Sequence, residues 1–172
     1  MSIKTWATGE RVTAAKLNTI RDELDKPLCK LVQQVAQSIA NSTDTALTFG
    51  TGSEDFDTHG FHSETTNNTR ITPSVAGYYL CYGTFFMSPG AYTSVIATIA
   101  KNGTVVPPRS RFRPEVTAPN LGTSVPVSVI LAMNGSTDYV ELFGQQSSGG
   151  AVNTNVGGSF ASVFGVEFIR SL

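Results

Sequence analysis

The sequence predicts an all-β fold: an antiparallel β-sandwich preceded by a short N-terminal α-helical arm. Three observations carry that expectation. From Leu31 onward apolar residues recur with a period of two, the spacing that sends alternate side chains to opposite faces of a strand. These runs are separated by Asn-Gly dipeptides and by clusters of Ser, Thr, Asn and Gly, which favour turns. Before Leu31 acids and bases alternate closely, whereas the remainder is largely neutral and polar. That composition shift divides the 172 residues into an arm, 1–30, and a β domain, 31–172.

In the arm, Thr13 suits a helix N-cap, because its side-chain oxygen can accept from free N–H groups of the first turn. Val12 before it and Leu17 after it are placed for a hydrophobic staple. The helix reads AAKLNTIRDELD, and Leu17, Ile20 and Leu24 make one apolar stripe. Pro27 ends it, since proline cannot donate the next bond. A helix of about three turns is too short to stand alone. Its stripe must pack on its own domain, on sister copies or on another protein. Trp6 lies upstream, either as an interface anchor or as a capping side chain.

In the β domain, Gln33, Val35, Gln37 and Ile39 begin the alternation, and short runs follow at Ala46, Leu47 and Phe49 and at 70–73. Between Tyr78 and Met87, Tyr78, Leu80, Tyr82 and Phe86 share one face, and Tyr79, Cys81, Phe85 and Met87 the other. Apolar residues on both faces predict a buried central strand. Val95, Ala97 and Ile99 lead into Asn102-Gly103, a predicted two-residue hairpin turn, with Val105-Val106 returning and Pro107-Pro108 stopping the strand. Val125, Val127, Val129 and Leu131 lead into a second such turn at Asn134-Gly135. Phe160, Phe164, Val166 and Phe168 make the closing strand. Eight to ten short strands without a second helix predict a β-sandwich.

Two strings of residues resemble known families. The pattern W-x-x-G-E-x-V-T-A-x-x-L-N-x-I-R-D-x-L over 6–24 resembles the N-terminal segment of many tailed-bacteriophage virion proteins, variously tail, head-fibre or decoration proteins. In the β domain, V-A-G-Y-Y-L-C-Y at 75–82 is followed by A-K-N-G-T-V-V at 100–106, L-A-M-N-G-S-T-D-Y-V-E-L at 131–142 and G-S-F-A-S-V-F-G at 158–165. That series resembles the globular head of the first complement component and its relatives in the tumour necrosis factor (TNF) superfamily. The resemblance implies a ten-stranded TNF-like jelly roll that assembles as a homotrimer, with aromatic and aliphatic side chains along the three-fold axis. The sequence departs from the animal members in having no Gly-X-Y stalk, and MSIKTWATGERVT has no apolar leader. The phage-like arm takes the stalk's place.

Function classes narrow accordingly. A net charge of -1 supplies no general attraction for nucleic acid or an anionic membrane. No apolar run approaches the roughly 20 residues that span a bilayer. Cys29 and Cys81 lack the spacing of a zinc site or a disulfide framework and read as buried, inert thiols. Glu54, Asp55 and Asp57 cluster near His59 and His62, but the spacing fits no standard metal loop, and a solvated loop is expected. No nucleophile elbow, phosphate loop or H-E-x-x-H motif occurs, so neither an enzyme nor a cofactor is expected. Arg109, Arg111 and Arg113 alternate beside Phe112. They are candidates for contact with an anionic partner, the alternative being a solvated or intersubunit ion-paired edge. The expected protein is a trimeric capsid decoration or head-fibre protein, made in the bacterial host cytoplasm. Its virion-docking or trimer contacts would be Trp6, Val12, Leu17, Ile20 and Leu24, and its partners the major capsid protein or tail proteins. The alternative is a tail-associated protein that recognises a host receptor or surface glycan, with His59, His62 and Tyr92 as loop candidates.

Overall fold

A computed structural model describes residues 9, 11–18, 25–105, 111–113, 122–157 and 160–172. Trp6, Ile20, Leu24 and Arg109 lie outside the described residues, as do Pro107 and Pro108. The strands are, in chain order, β1 (Leu28–Val32), β2 (Ser38–Ile39), β3 (Thr45–Ala46), β4 (Glu54–Asp57), β5 (Arg70–Ile71), β6 (Gly77–Met87), β7 (Ser94–Lys101) and β8 (Thr104–Val105). They continue as β9 (Arg111–Phe112), β10 (Thr123–Met133), β11 (Val140–Ser147), β12 (Val152–Asn153), β13 (Val156–Gly157), β14 (Phe160–Ala161) and β15 (Val163–Arg170). The composition shift at Leu31 therefore falls inside β1.

Two antiparallel sheets make a sandwich-like arrangement. The first has the order β10-β6-β15-β1-β4. The second runs β3-β11-β7-β8, with β5 pairing β11 and β9 pairing β7. β6 and β10 pair over their whole length, from Gly77 opposite Met133 to Met87 opposite Thr123. The core lies between the sheets. Tyr79, Cys81 and Phe85 of β6 and Phe164 and Val166 of β15 meet the same cluster as Val95, Ala97 and Ile99 of β7 and Leu142 of β11. Burial of this apolar surface is the main favourable term holding the sheets together.

The two Asn-Gly dipeptides do different jobs. Asn102 and Gly103 have φ of 53° and 72°, the paired left-handed conformation of the expected two-residue hairpin between β7 and β8. Asn134-Gly135 is not a hairpin turn, which corrects the reading of the sequence. β10 pairs β6 in the first sheet and β11 pairs β7 in the second, so this connection crosses the sandwich. The physical reason is the Asn134 side chain. Its Oδ1 accepts from the N–H groups of Ser136, Thr137 and Asp138, each at 3.0 Å, and so holds a wider loop.

Residues 14–18 form a helical turn. The Lys16 N–H donates to Thr13 Oγ1 at 3.3 Å, the N-cap geometry expected of Thr13. The Leu17 N–H donates to the Thr13 carbonyl at 3.1 Å. Beyond it, Lys26 Nζ donates to the Ile169 carbonyl at 3.5 Å and the Phe168 N–H to the Pro27 carbonyl at 3.0 Å. The chain thus enters the sandwich beside the end of β15.

Candidate interaction surface

β6 alternates strictly between buried and half-buried residues. Tyr79, Cys81, Phe85 and Met87 face the core, while Tyr78, Leu80, Tyr82 and Phe86 look outward from the first sheet and are only half-buried. The expectation that β6 is buried on both faces is corrected to this extent: its outer face is only half-buried, with the Phe160 ring packed 5.3 Å from that of Phe86 at one end. Cross-strand neighbours extend that face. Ile130 stands opposite Leu80, Pro126 opposite Thr84 and Ala132 opposite Tyr78. Ile130 is 59% exposed. On the other side, Gly165 lies opposite Tyr82, and a Cβ at Gly165 would come within 2.6 Å of the Tyr82 ring. The missing side chain lets the Tyr82 ring approach β15 closely.

Charge frames this apolar centre. Lys30 pairs with Asp55 at 2.7 Å, and its ammonium is raised above the usual lysine range chiefly by that hydrogen bond. It also lies 5.8 Å from the Phe56 ring, itself 41% exposed. The Arg170 guanidinium stacks 5.0 Å from the Tyr78 ring. An apolar centre with a charged rim is the anatomy of a protein interface. Ile130, Pro126 and Phe56 were not singled out from the sequence. The signal available was the two-sided apolar pattern of β6.

On the arm, Val12 and Leu17 are each 55% exposed, so the sandwich covers neither of these two side chains. Among the arginines, Arg111 on β9 makes a double contact with Asp44, at 3.0 and 3.2 Å, and a third bond to Gln145 at 3.2 Å. The Arg111 guanidinium is thus engaged within the chain, whereas Arg113 is exposed. Beside them an open cavity of about 500 Å³ is lined by Tyr82, Thr84, Arg111, Phe112, Pro126 and Ser128.

The acidic run forms strand β4 rather than a loop, with Glu54 and Asp55 exposed to solvent as expected and Asp57 tied in by hydrogen bonds. The Asp57 carboxylate accepts the backbone N–H groups of His62 at 2.8 Å and His59 at 3.3 Å. His62 Nδ1 lies 2.8 Å from the Arg70 carbonyl oxygen and Nε2 2.9 Å from that of Phe49. Both ring nitrogens are therefore occupied by the protein itself. His59 is half-buried against Thr58, with Nδ1 2.8 Å from its hydroxyl. Tyr92 is buried, its hydroxyl donating to the Ser88 carbonyl. Among the described residues no three His, Cys, Asp or Glu side chains are grouped to hold a metal ion. No protein-family model matches the chain, and no curated protein matches it significantly.

Proposed function

We propose that this chain is a structural protein of a tailed-bacteriophage virion, a homotrimeric capsid decoration or head-fibre protein anchored by its N-terminal arm. In this reading the β domain is a ten-stranded TNF-like jelly roll. The strand order supports it: after β6 in the first sheet the long strands alternate, with β7 in the second, β10 in the first, β11 in the second and β15 in the first.

The observation that carries the reading is the half-buried outer face of the first sheet, with Leu80, Tyr82 and Ile130 at its centre. Apolar residues contiguous on a sheet face, rimmed by charge, call for a partner surface. Sister copies are the natural cover, because each brings the same face. The virion assignment rests on the resemblance of the arm, whose exposed Val12 and Leu17 await a partner. Three short arms held together gain avidity that a single arm lacks. A tail-associated role in binding a host glycan is the alternative. It is favoured by the open cavity beside Phe112, where rings and hydroxyls line one wall.

Deleting residues 1–26 tests the anchoring. The shortened protein should keep its β-sheet circular dichroism and fail to bind particles that lack the native protein. Undiminished binding would overturn the role of the arm. Immunogold labelling of virions distinguishes head from tail.

A further inference from the structure

A sheet edge leaves a row of backbone N–H and carbonyl groups without partners, and such a row pairs readily with the edge of another chain. At the margins of the second sheet, β3, β5, β8 and β9 have two residues each, too short to template a partner strand. In the first sheet, β4 ends one side with Glu54, Asp55 and Asp57 and with a register shift against β1, so like charge and a bulge discourage a second copy. β10 ends the other side. It runs for 11 residues, TSVPVSVILAM, and carries no charged side chain. By length and neutrality it is the described edge most open to a sister strand.

The hydrogen bonds show which of its backbone groups face that edge. In an antiparallel pair, opposed residues alternate between exchanging both bonds and turning both sets of groups away from each other. Phe86 stands opposite Ser124. The Phe86 N–H donates to Ser162 Oγ and its carbonyl accepts from the Asn155 N–H, each at 3.0 Å. Ser162 immediately precedes β15, on the side of β6 away from β10. Ser124 therefore turns its own backbone groups away from β6, and the alternation gives Pro126, Ser128, Ile130 and Ala132 the same direction. Pro126 has no N–H, so it offers a second strand no donor there and sets its ring in the way. The Ala132 carbonyl already accepts from Lys101 Nζ at 2.6 Å, and Asp138, 2.7 Å from the same ammonium, holds it in place.

We propose that the free edge of β10 is a latent pairing surface for a second copy of this chain, held closed by Pro126 and Lys101. Two such edges complement each other when antiparallel. Centred on Ser128, the pair would set Pro126 of each copy against Ile130 of the other, and Ser124 against Ala132. Each flanking pair then contains a missing donor or a carbonyl already taken by a lysine. The inference goes beyond the proposed trimer and holds for whatever assembly forms through the sheet face.

Amide hydrogen exchange of the full chain, read by NMR, tests the orientation. The N–H groups of Ser124, Ser128, Ile130 and Ala132 should exchange about tenfold or more faster than those of Val125, Val127, Val129 and Leu131. Even protection along β10 would overturn the proposal. Pro126→Val, alone and together with Lys101→Met, tests the closure, with mass measured by light scattering. The double variant should reach twice the parent's mass at concentrations where the parent does not change, and Pro126→Val alone should do so at higher concentration. In the doubled species the Ser128 and Ile130 amides should become protected. Association without that protection, or folded variants that keep the parent's mass to the limit of solubility, sinks the idea. A monomeric parent removes the trimer alone, since doubling is counted from the parent. If the double variant does not fold, Pro126→Val decides.

Discussion

Cys81 sits in the core of the first sheet, and burial pushes its thiol up to about 12 against a small opposing pull from Lys101. Burial does the same to Cys29, assisted by the negative charges of Asp57 and Glu54. Both thiols are free and fully buried, as expected of two cysteines without the spacing of a zinc site or disulfide framework. A raised folded value means the stability is complete below the unfolded thiol's range and is lost as pH climbs above about 8.5–9, where only the unfolded chain ionises. Native protein should be inert to an aromatic disulfide reagent at pH 8 and release two equivalents of thiolate on unfolding. Rapid native reaction would contradict the burial. Residue-scale chemistry of this kind was legible because it depends on residue type and strand face. The setting of His62 was not, since its partners lie 8 and 13 residues away along the chain.

Among the elements, the two Asn-Gly connections show where local sequence stops being sufficient. The same dipeptide makes a tight hairpin at Asn102-Gly103 and a crossing loop at Asn134-Gly135. The Asn134 side chain makes the difference by holding the wider loop, and the two connections meet at Asp138, which receives Lys101 Nζ at 2.7 Å, Asn102 Nδ2 at 2.8 Å and the Asn134 N–H at 2.9 Å. This carboxylate ties both connections together, a relation invisible in sequence because it joins positions from two strands' ends. Burial opposes its charge, but the donated bonds from Asn102, Lys101 and Asn134 outweigh burial and hold it below the usual carboxylate range. A depressed value contributes stability above the unfolded carboxylate's range and loses it as pH falls through the lower folded one. Asp138→Asn should therefore cost about 1–3 kcal/mol at neutral pH in urea titrations. It should also flatten the acid side of the stability profile. A variant as stable as the parent at pH 7 would show the tie to be ornamental.

For the whole molecule, the sandwich was legible from the change of period at Leu31, but its outer surface was misread. Two apolar faces on β6 predicted a buried central strand; β6 does lie between β10 and β15, but its outer face is only half-buried. Sequence periodicity reports that a face is apolar without saying which molecule covers it. Multi-angle light scattering should give the mass of three chains, and a stable monomer at micromolar concentration would remove the trimer. Ile130→Lys sharpens the test. The side chain is already 59% exposed, so the lysine should leave the single-chain fold intact while weakening self-association at least tenfold. An unchanged mass would move the interface off this face.

The closeness of Pro27 to Phe168 has a practical side. Anything appended after Leu172 leaves the sandwich beside the arm, and in an anchored particle it would crowd the attachment point. The opposite end, where Met87 meets Thr123 and Ser94 meets Ser147, carries the exposed turn at Gly149-Gly150. Cargo meant for outward display belongs there, inserted in a loop whose glycines already tolerate a break in the chain's course.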